Sequence, residues 1–499
     1  MSNFEHNEIW FVTGAQLLYG GKTVEQVNAH SVAIVEKFNL SGVLPVKVVY
    51  KGTVNSAVEI TEKFQEANNN EKCVGIITWM HTFSPAKMWI HGLKILNKPL
   101  LHLHTQFQRE IPWSEIDMDF MNLNQSAHGD REFGYITARI KKPRKIVVGH
   151  WEDRDVHERI AVWMRVCAAW ADSQSMRILR FGDNMNNVAV TDGDRVEAEM
   201  QLGYHVDYHP VGDLAAQVAR VTDSEIDGML GEYAKQYDFA PDSAKNGPKH
   251  HQVREAAGIE VALRNILRET GAKAFTTNFD ALHGLNQLPG LASQRLMSDG
   301  YGFGAEGDWK TAALVRSLKV MSTGLPGGTS FLEDYVYHFK GKGIALQAHM
   351  LEICPSIAGH KPRIEVHPLG IGGKADPARL VFTAHEGTGM AATVVDMGNR
   401  FRMIVNQVDC VKPEADLPKL PVARVFWTPQ PDLKTAAHAW ILAGGTHHTA
   451  FSFALTREYF EDYAEIAGIE LLLIDHTTSI PDFKNQIKLN DVYWMLNRS

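Results

Sequence analysis

Cysteine is scarce in this chain, with four in 499 residues, at positions 73, 167, 354 and 410. No two are close enough for a CxxC pair, which excludes a zinc ribbon or a dithiol redox motif. Cys73 (CVGIITW) and Cys167 (VWMRVCAAW) sit in apolar runs and read as small buried hydrophobes. A chain of this length needs no disulfide staple, and the pattern fits a reducing compartment. Long apolar runs are missing too, since none approaches the roughly 18 residues of a membrane span. The opening MSNFEHNEIWFVTG lacks a basic region and reads as a first strand rather than a secretion signal. The expected location is the cytoplasm. Nor is there a basic excess: 50 Lys and Arg stand against 58 Asp and Glu, a net charge of −8, without the footprint of a nucleic-acid binder. GxxxxGK[ST], HExxH and GxSxG are absent, as are internal repeats and low-complexity segments.

What is present is ordinary globular composition, 44% hydrophobic and 22% charged, which excludes a disordered chain. At roughly 100–200 residues per domain the length implies about three domains. Histidine is the uneven part of the composition, 23 residues against the four cysteines. As the commonest metal ligand and proton handler near neutral pH, it raises metal or acid/base chemistry.

The first third alternates strands and helices. Glu8–Thr13, Val46–Tyr50, Cys73–Trp79 and Leu100–His104 read as strands, with helices near 57–68 and 85–96 between them. Thr23 opens a further helix, with Gln26 completing a capping box. Such alternation implies a parallel sheet. A second α/β region starts near Met176, with strands Arg177–Phe181 and Ala274–Phe279 and helices Val253–Glu269 and Asp308–Val320. Beyond about residue 323, short strands at 344–348, 363–367, 380–384, 391–396 and 401–408 follow one another through turns, suggesting antiparallel structure, with a helix at Leu433–Leu442. The reading is an α/β protein of three domains, 1–175, 176–323 and 324–499, the last β-rich.

Gly387–Ala392 matches GxGxxA, but a strand-like TVVDMG follows where a dinucleotide site needs a helix, so it reads as a hairpin turn. His447 and His448 are neighbours, and neighbours on a strand face opposite ways, so at most one of the two is expected in a site. Several stretches place glycine beside acidic, His or aromatic residues, as loops that approach a ligand do. They are GAQLLYG (14–20), NQSAHGDREFG (124–134), FGDNM (181–185), AEGDWK (305–310), GGTSFLEDY (327–335), LGIGGKADPARL (369–380) and GGTHHTAFS (444–452), with QAHMLE (347–352) beside them. Glu306, in a Gly-flanked loop before a helix, and Glu333, after a Gly-Gly turn, are the carboxylates that stand out. Two carboxylates with two imidazoles make a mixed O/N site suited to Mn²⁺, Co²⁺ or Mg²⁺. Spacing alone does not group 306, 333, 349 and 448.

These segments, with TWMHTFSPAKMW (78–89), PLLHLHTQF (99–107), TTNFDALHGL (276–285) and HMLEICPS (349–356), resemble the L-arabinose isomerase family, in order and over almost the whole chain. The resemblance implies two open Rossmann-like α/β domains and a C-terminal β-barrel-like domain, as in fucose isomerase. It implies Glu306, Glu333, His349 and His448 as ligands of Mn²⁺ or a similar ion, with Glu306 and Glu333 also the catalytic proton-transfer pair. It places substrate at Gln16, Leu18, Tyr19, Met185, Phe279 and Ile371, and at His128 supplied by a neighbouring subunit of a homo-hexamer. The implied reaction converts L-arabinose to L-ribulose by moving a proton from C2 to C1 through an enediol, with no nicotinamide, and D-galactose to D-tagatose as a side reaction. A metal-assisted hydride shift is the competing mechanism. Other readings are an isomerase of another aldose such as L-fucose, a metal-dependent hydrolase, or a non-enzymatic sugar-binding protein.

Overall fold

The computed structural model describes residues 4–371 and 373–496. The described residues form two compact units, one of 4–171 with Glu461–Gly468, the other of Asp172–Phe460 with 469–496. Among the described residues no helix is long and apolar enough to cross a membrane. All four cysteines are free and buried, as the apolar runs around Cys73 and Cys167 predict for those two.

The N-terminal unit contains β1 (Glu8–Gly14), α1 (Gly21–Leu40), β2 (Lys47–Val54), α2 (Ala57–Asn69), β3 (Cys73–Met80), α3 (Ile90–Ile95), β4 (Leu100–His104), α4 (Met118–Leu123), α5 (Ser126–Arg139), β5 (Lys145–Val148) and all but the end of α6 (Arg154–Ser173). Its sheet is parallel throughout in the order β2-β1-β3-β4-β5, the doubly wound arrangement. Every residue of β3 is buried, as expected for a parallel strand covered on both faces. In α2, Ser56 caps the N-terminus by accepting from the Glu59 N–H, and Ile60, Phe64 and Ala67 form the inward stripe. Two sequence readings are corrected here. The capping box at Thr23 does not form: α1 starts at Gly21 behind Gly20 (φ +86°), and Thr23 Oγ1 donates to the Tyr19 carbonyl instead. The stretch 124–134 is not a glycine-rich loop: from Ser126 on it lies in α5, where a Cβ on Gly129 would come within 2.8 Å of the Thr82 carbonyl. That glycine serves close packing of the helix rather than a turn.

The second unit holds β6 (Met176–Phe181), α7 (Arg195–Leu202), β7 (Tyr204–His209), α8 (Val211–Arg220), α9 (Asp223–Gln236), β8 (Asp238–Phe239), α10 (His250–Thr270), β9 (Ala274–Thr277), α11 (Gly290–Ser298), β10 (Gly302–Ala305) and α12 (Trp309–Met321). It continues with β11 (Thr329–His338), β12 (Ile344–Ala348), β13 (Arg363–Val366), β14 (Ala378–Val381), β15 (Gly387–Asp396), β16 (Phe401–Cys410), β17 (Arg424–Pro429), α13 (Leu433–Leu442), β18 (His448–Ser452), α14 (Arg457–Ala467, which runs on into the N-terminal unit), β19 (Glu470–Ile474) and α15 (Ile480–Leu496). A parallel sheet, β10-β9-β6-β7, presents the carboxyl ends of three strands along one edge, just before Met185, Phe279 and Glu306. A mixed sheet follows, in the order β15-β18-β11-β12-β17-β16-β19, in which β15 also pairs with β16. Most of its ladders are antiparallel, but β16 and β19 are parallel. The GxGxxA glycines are not a hairpin turn: they open β15, and the turn to β16 lies after Asp396. A Cβ on Gly389 would meet the Phe451 ring at 2.5 Å, so the glycine admits a neighbouring aromatic. One apolar cluster joins α9, α10 and α11 (Tyr233, Val253, Leu291) to strand residues Ile364, Leu380 and Phe451, so these segments share a core.

Glu260 organises that core. It is fully buried on α10 and accepts from Arg295 Nε at 2.9 and 3.0 Å, from Arg264 Nη2 at 2.7 Å and from Tyr233 Oη at 2.7 Å. Burial alone would push the Arg295 guanidinium down, but Glu260 holds it above its ordinary range. Glu260→Leu strands a buried cation and should cost about 3–5 kcal/mol, read as a fall in the urea midpoint. Adding Arg295→Met should recover part of that loss, and a double variant no more stable than the single one would refute the coupling.

Candidate functional site

Register brings the site together. In β11, Glu333 lies directly across from His448 of β18 on one side and from Ala348 of β12 on the other, with His349 the next residue. Cross-strand partners share a face, so Glu333, His448 and the end of β12 meet on one side of the sheet. His349 Nε2 is 3.5 Å from a Glu333 oxygen, and the two imidazoles lie 6.3 Å apart. Phe331, two residues before Glu333 on the same face, stands edge-on to both rings at 5.2 and 5.1 Å.

Glu306 reaches the same place from the end of β10. Its backbone is left-handed, φ +60°, which for a residue other than glycine costs on the order of 1–3 kcal/mol. Neighbouring contacts hold it there. Its carbonyl accepts from the Met185 N–H at 3.0 Å, the Gly307 N–H donates to Thr276 Oγ1 at 2.9 Å, and Asn184 Nδ2 donates to the Gly307 carbonyl at 3.2 Å. Gly307 has φ +87°, and a Cβ on it would fall 2.5 Å from Asn184 Cα. Glu306 then lies 3.8 Å from Nε2 of His448 and 3.8 Å from Nε2 of His447.

The expectation of one histidine from the pair is corrected. β18 begins at His448, so His447 precedes the strand and escapes its alternation. Its Nε2 lies 3.8 Å from Glu306 and 3.9 Å from Glu333, and Glu306, His447 and His448 form a cluster able to hold a metal ion.

Behind the imidazoles stand two further carboxylates. His448 is fully buried and its Nδ1 donates to Asp308 Oδ2 at 3.0 Å. Burial would push Asp308 up, but Lys310 first, then His448 and Thr311, hold it down to about 2, so it is charged and can only accept. In the neutral imidazole this leaves the lone pair on Nε2, which is buried with no partner. A buried imidazole nitrogen without a partner, facing a carboxylate, fits a cation ligand. His349 is held the same way by Glu352, which bonds Nδ1. Burial would lower the His349 imidazole, but Glu352 raises it to about 9. Glu306 is held below the usual carboxylate range, chiefly by His447 and against burial. Burial pushes the nearby Tyr335 hydroxyl up, with Glu333 adding to it, so that phenol keeps its proton. Asp308 and Glu352 were visible in the sequence, in EGDW and HMLE, but only their placement behind a histidine distinguishes them.

The other expected residues fall into two groups. In the second unit, Met185 and Phe279 follow β6 and β9, both half-buried. Ile371 is half-buried in the loop after β13, which Lys374 ties down by donating to the Leu282 and Leu285 carbonyls. In the N-terminal unit, Gln16, Leu18 and Tyr19 follow the carboxyl end of β1, beside the β1/β3 switch point where ligands of doubly wound sheets bind. Gln125 connects them to His128: its Nε2 donates to Tyr19 Oη at 3.1 Å, and its Oε1 is 3.1 Å from His128 Nδ1. Leu18 is 80% exposed and His128 is exposed, open to a ligand.

Three family models match consecutive segments: the L-arabinose isomerase N-terminal domain at residues 3–175, the central domain at 177–324 and the C-terminal domain at 328–470. An L-arabinose isomerase of Phocaeicola vulgatus is 60% identical over 99% of both chains, and one of Herpetosiphon aurantiacus 59% identical over 99% of both. One of Geobacillus stearothermophilus is 57% identical over 98% of both. The chain belongs to the L-arabinose isomerase family.

Asp308 also caps α12 by accepting from the Thr311 N–H, a task Asn performs nearly as well. Asp308→Asn keeps the cap but leaves the buried Lys310 without its counter-charge, so a fall in melting temperature is expected, together with divalent-cation binding, titrated with Mn²⁺ in calorimetry, weakened about 10–100-fold. Unchanged Mn²⁺ affinity would show that His448 does not depend on Asp308.

Proposed function

We propose that this protein is an aldose–ketose isomerase converting L-arabinose to L-ribulose, with Glu306 and Glu333 carrying the proton between C2 and C1 through an enediol. The observation behind this is the convergence of the two carboxylates on one small space, both within 3.9 Å of His447 Nε2. Their separate elements, the loop after β10 and the strand β11, let one carboxylate stand on each side of a short C1–C2 edge. Glu306, held low by His447, is charged at neutral pH, as a proton acceptor must be. Positioned acid–base groups of this kind contribute roughly 10²–10⁴-fold.

Glu306, Glu333, His349 and His448 are the proposed metal ligands, and the orphaned Nε2 of His448 supports that set. Their O and N donors suit Mn²⁺, with Co²⁺ or Mg²⁺ as substitutes. Such a cation would act as a Lewis acid on the O1/O2 edge of the sugar, contributing several kcal/mol. Gln16, Leu18, Tyr19, Met185, Phe279, Ile371 and His128 are the proposed sugar contacts, with Phe279 bearing on the choice between L-arabinose and D-galactose. The proposed assembly is a cytoplasmic homo-hexamer in which His128 serves a neighbouring subunit, and the exposure of His128 supports this. The proposed division into domains at 175 and 323 draws support from the spans of the three family models. The barrel-like, fucose-isomerase-like reading of the last domain rests on the ring of pairings from β15 through β18, β11, β12, β17 and β16 back to β15.

Glu306→Gln and Glu333→Gln should each lower kcat by at least about 100-fold while the assembly mass is retained. Near-normal turnover in either would remove that carboxylate from proton transfer. In a ketose assay with L-arabinose, D-galactose and L-fucose, L-arabinose should give the highest kcat/KM, chelation should abolish the activity and Mn²⁺ should restore it. Full turnover after rigorous metal removal would overturn the metal role, and a preference for L-fucose would overturn the substrate.

A further inference from the structure

Within the N-terminal unit a cavity of about 160 Å³ opens at the amino-terminal edge of the sheet, where β4 and β5 begin. That is the opposite strand end from Gln16 and Tyr19. Its wall carries Lys98, Lys142, Arg144, Lys145, Trp163 and Trp170, with Asp462 and Glu465 from the returning segment 461–468. Asp462 neutralises Lys145 at 2.5 Å. Lys98, Lys142 and Arg144 then face Glu465 alone, an excess of 3 − 1 = 2 positive charges.

Donors outnumber acceptors there. Trp163 is 1% exposed, and its Nε1–H has no partner. A Cβ on Gly75 would come within 2.8 Å of Trp163 Cη2, so the benzo edge of the indole is seated on β3. The Arg144 Nε–H is also buried without a partner, and its Nη atoms make only long bonds, 3.3 and 3.4 Å, to the carbonyls of Lys142 and Gly134. Lys98 and Lys142 donate to the carbonyls of Asn70 and Leu96, which leaves their charges without a counter-ion. Burial holds Lys142 and Arg144 below their ordinary ranges, the sign of cations short of compensation. Trp163 and Arg144, two residues of the cavity wall, each carry a buried donor without a partner, and with the cationic surplus beside them they ask for an acceptor-rich anion.

We propose that this cavity binds a small phosphate-bearing anion, its oxygens accepting from Trp163 Nε1 and Arg144 Nε, with Lys98 and Lys142 supplying the field. The two indoles leave apolar walls for a short carbon skeleton beyond the phosphate. The proposal does not depend on the isomerase reading.

Thermal shift and calorimetry on the full-length protein, with inorganic phosphate and with ribose 5-phosphate, test it against sodium chloride of equal ionic strength. Saturable stabilisation with one site per chain is expected. Arg144→Gln should raise the half-saturating concentration at least tenfold and Trp163→Phe, which keeps the ring and removes the donor, severalfold. A tighter value for ribose 5-phosphate than for phosphate assigns the indoles to the carbon skeleton, and equal values assign the whole affinity to the oxyanion. Stabilisation no greater than that by chloride, or half-saturation unchanged in Trp163→Phe, overturns the proposal. Trp163→Phe alone decides the matter if Arg144→Gln fails to fold.

Discussion

The register of β11 against its two neighbours is the constraint on which the site depends. Side chains alternate along a strand, so a slip of one residue would turn Glu333 away from His448 and separate every proposed ligand on that sheet. Several contacts forbid the slip. Gly327 and Gly328, at φ +113° and +80°, set the approach to β11, and a Cβ on Gly328 would lie 2.2 Å from the Ser356 carbonyl. Thr329 Oγ1 bonds Ser452 Oγ at 2.9 Å one step in, and Phe331 is fully buried. The precision of the site is thus inherited from packing two to six residues away.

Electrostatics adds a second level. Each of the two buried histidines has a carboxylate on Nδ1, Asp308 for His448 and Glu352 for His349, which fixes the ring and directs Nε2 inward. Asp308 has Lys310 at 3.6 Å and the Thr311 hydroxyl at 2.7 Å, so the charge that orients His448 is itself compensated. An uncompensated carboxylate at that depth would cost several kcal/mol.

Much of the architecture was legible in the sequence because it rests on periodicity. The strands of the first sheet, the helix behind Asp308 and the succession of short strands after residue 323 all follow from patterns of apolar residues. Features set by a single tertiary contact were not legible. The glycines of 387–389 look like a turn, yet one of them makes room for Phe451. His447 looks excluded by strand alternation, but the strand starts one residue later. Gly129 looks like part of a loop and packs a helix. The shared core of α9–α11 and the later strands depends on contacts between segments far apart in the chain, beyond what any local pattern carries. Recognition of a family supplied what spacing could not, the grouping of 306, 333, 349 and 448.

The left-handed backbone at Glu306 also bears on how such a site can change over time. Few side chains tolerate that conformation, Asn and Asp best among those other than glycine. The next position admits no Cβ, because Asn184 occupies the space. The carboxylate could be shortened in place, but it could not migrate along the chain by a neighbouring substitution. Met185 and Phe279, the proposed sugar contacts in the loops after β6 and β9, carry no such backbone strain, so substitutions there are the freer ones, with the proposed proton-transfer carboxylate as the fixed point of the site.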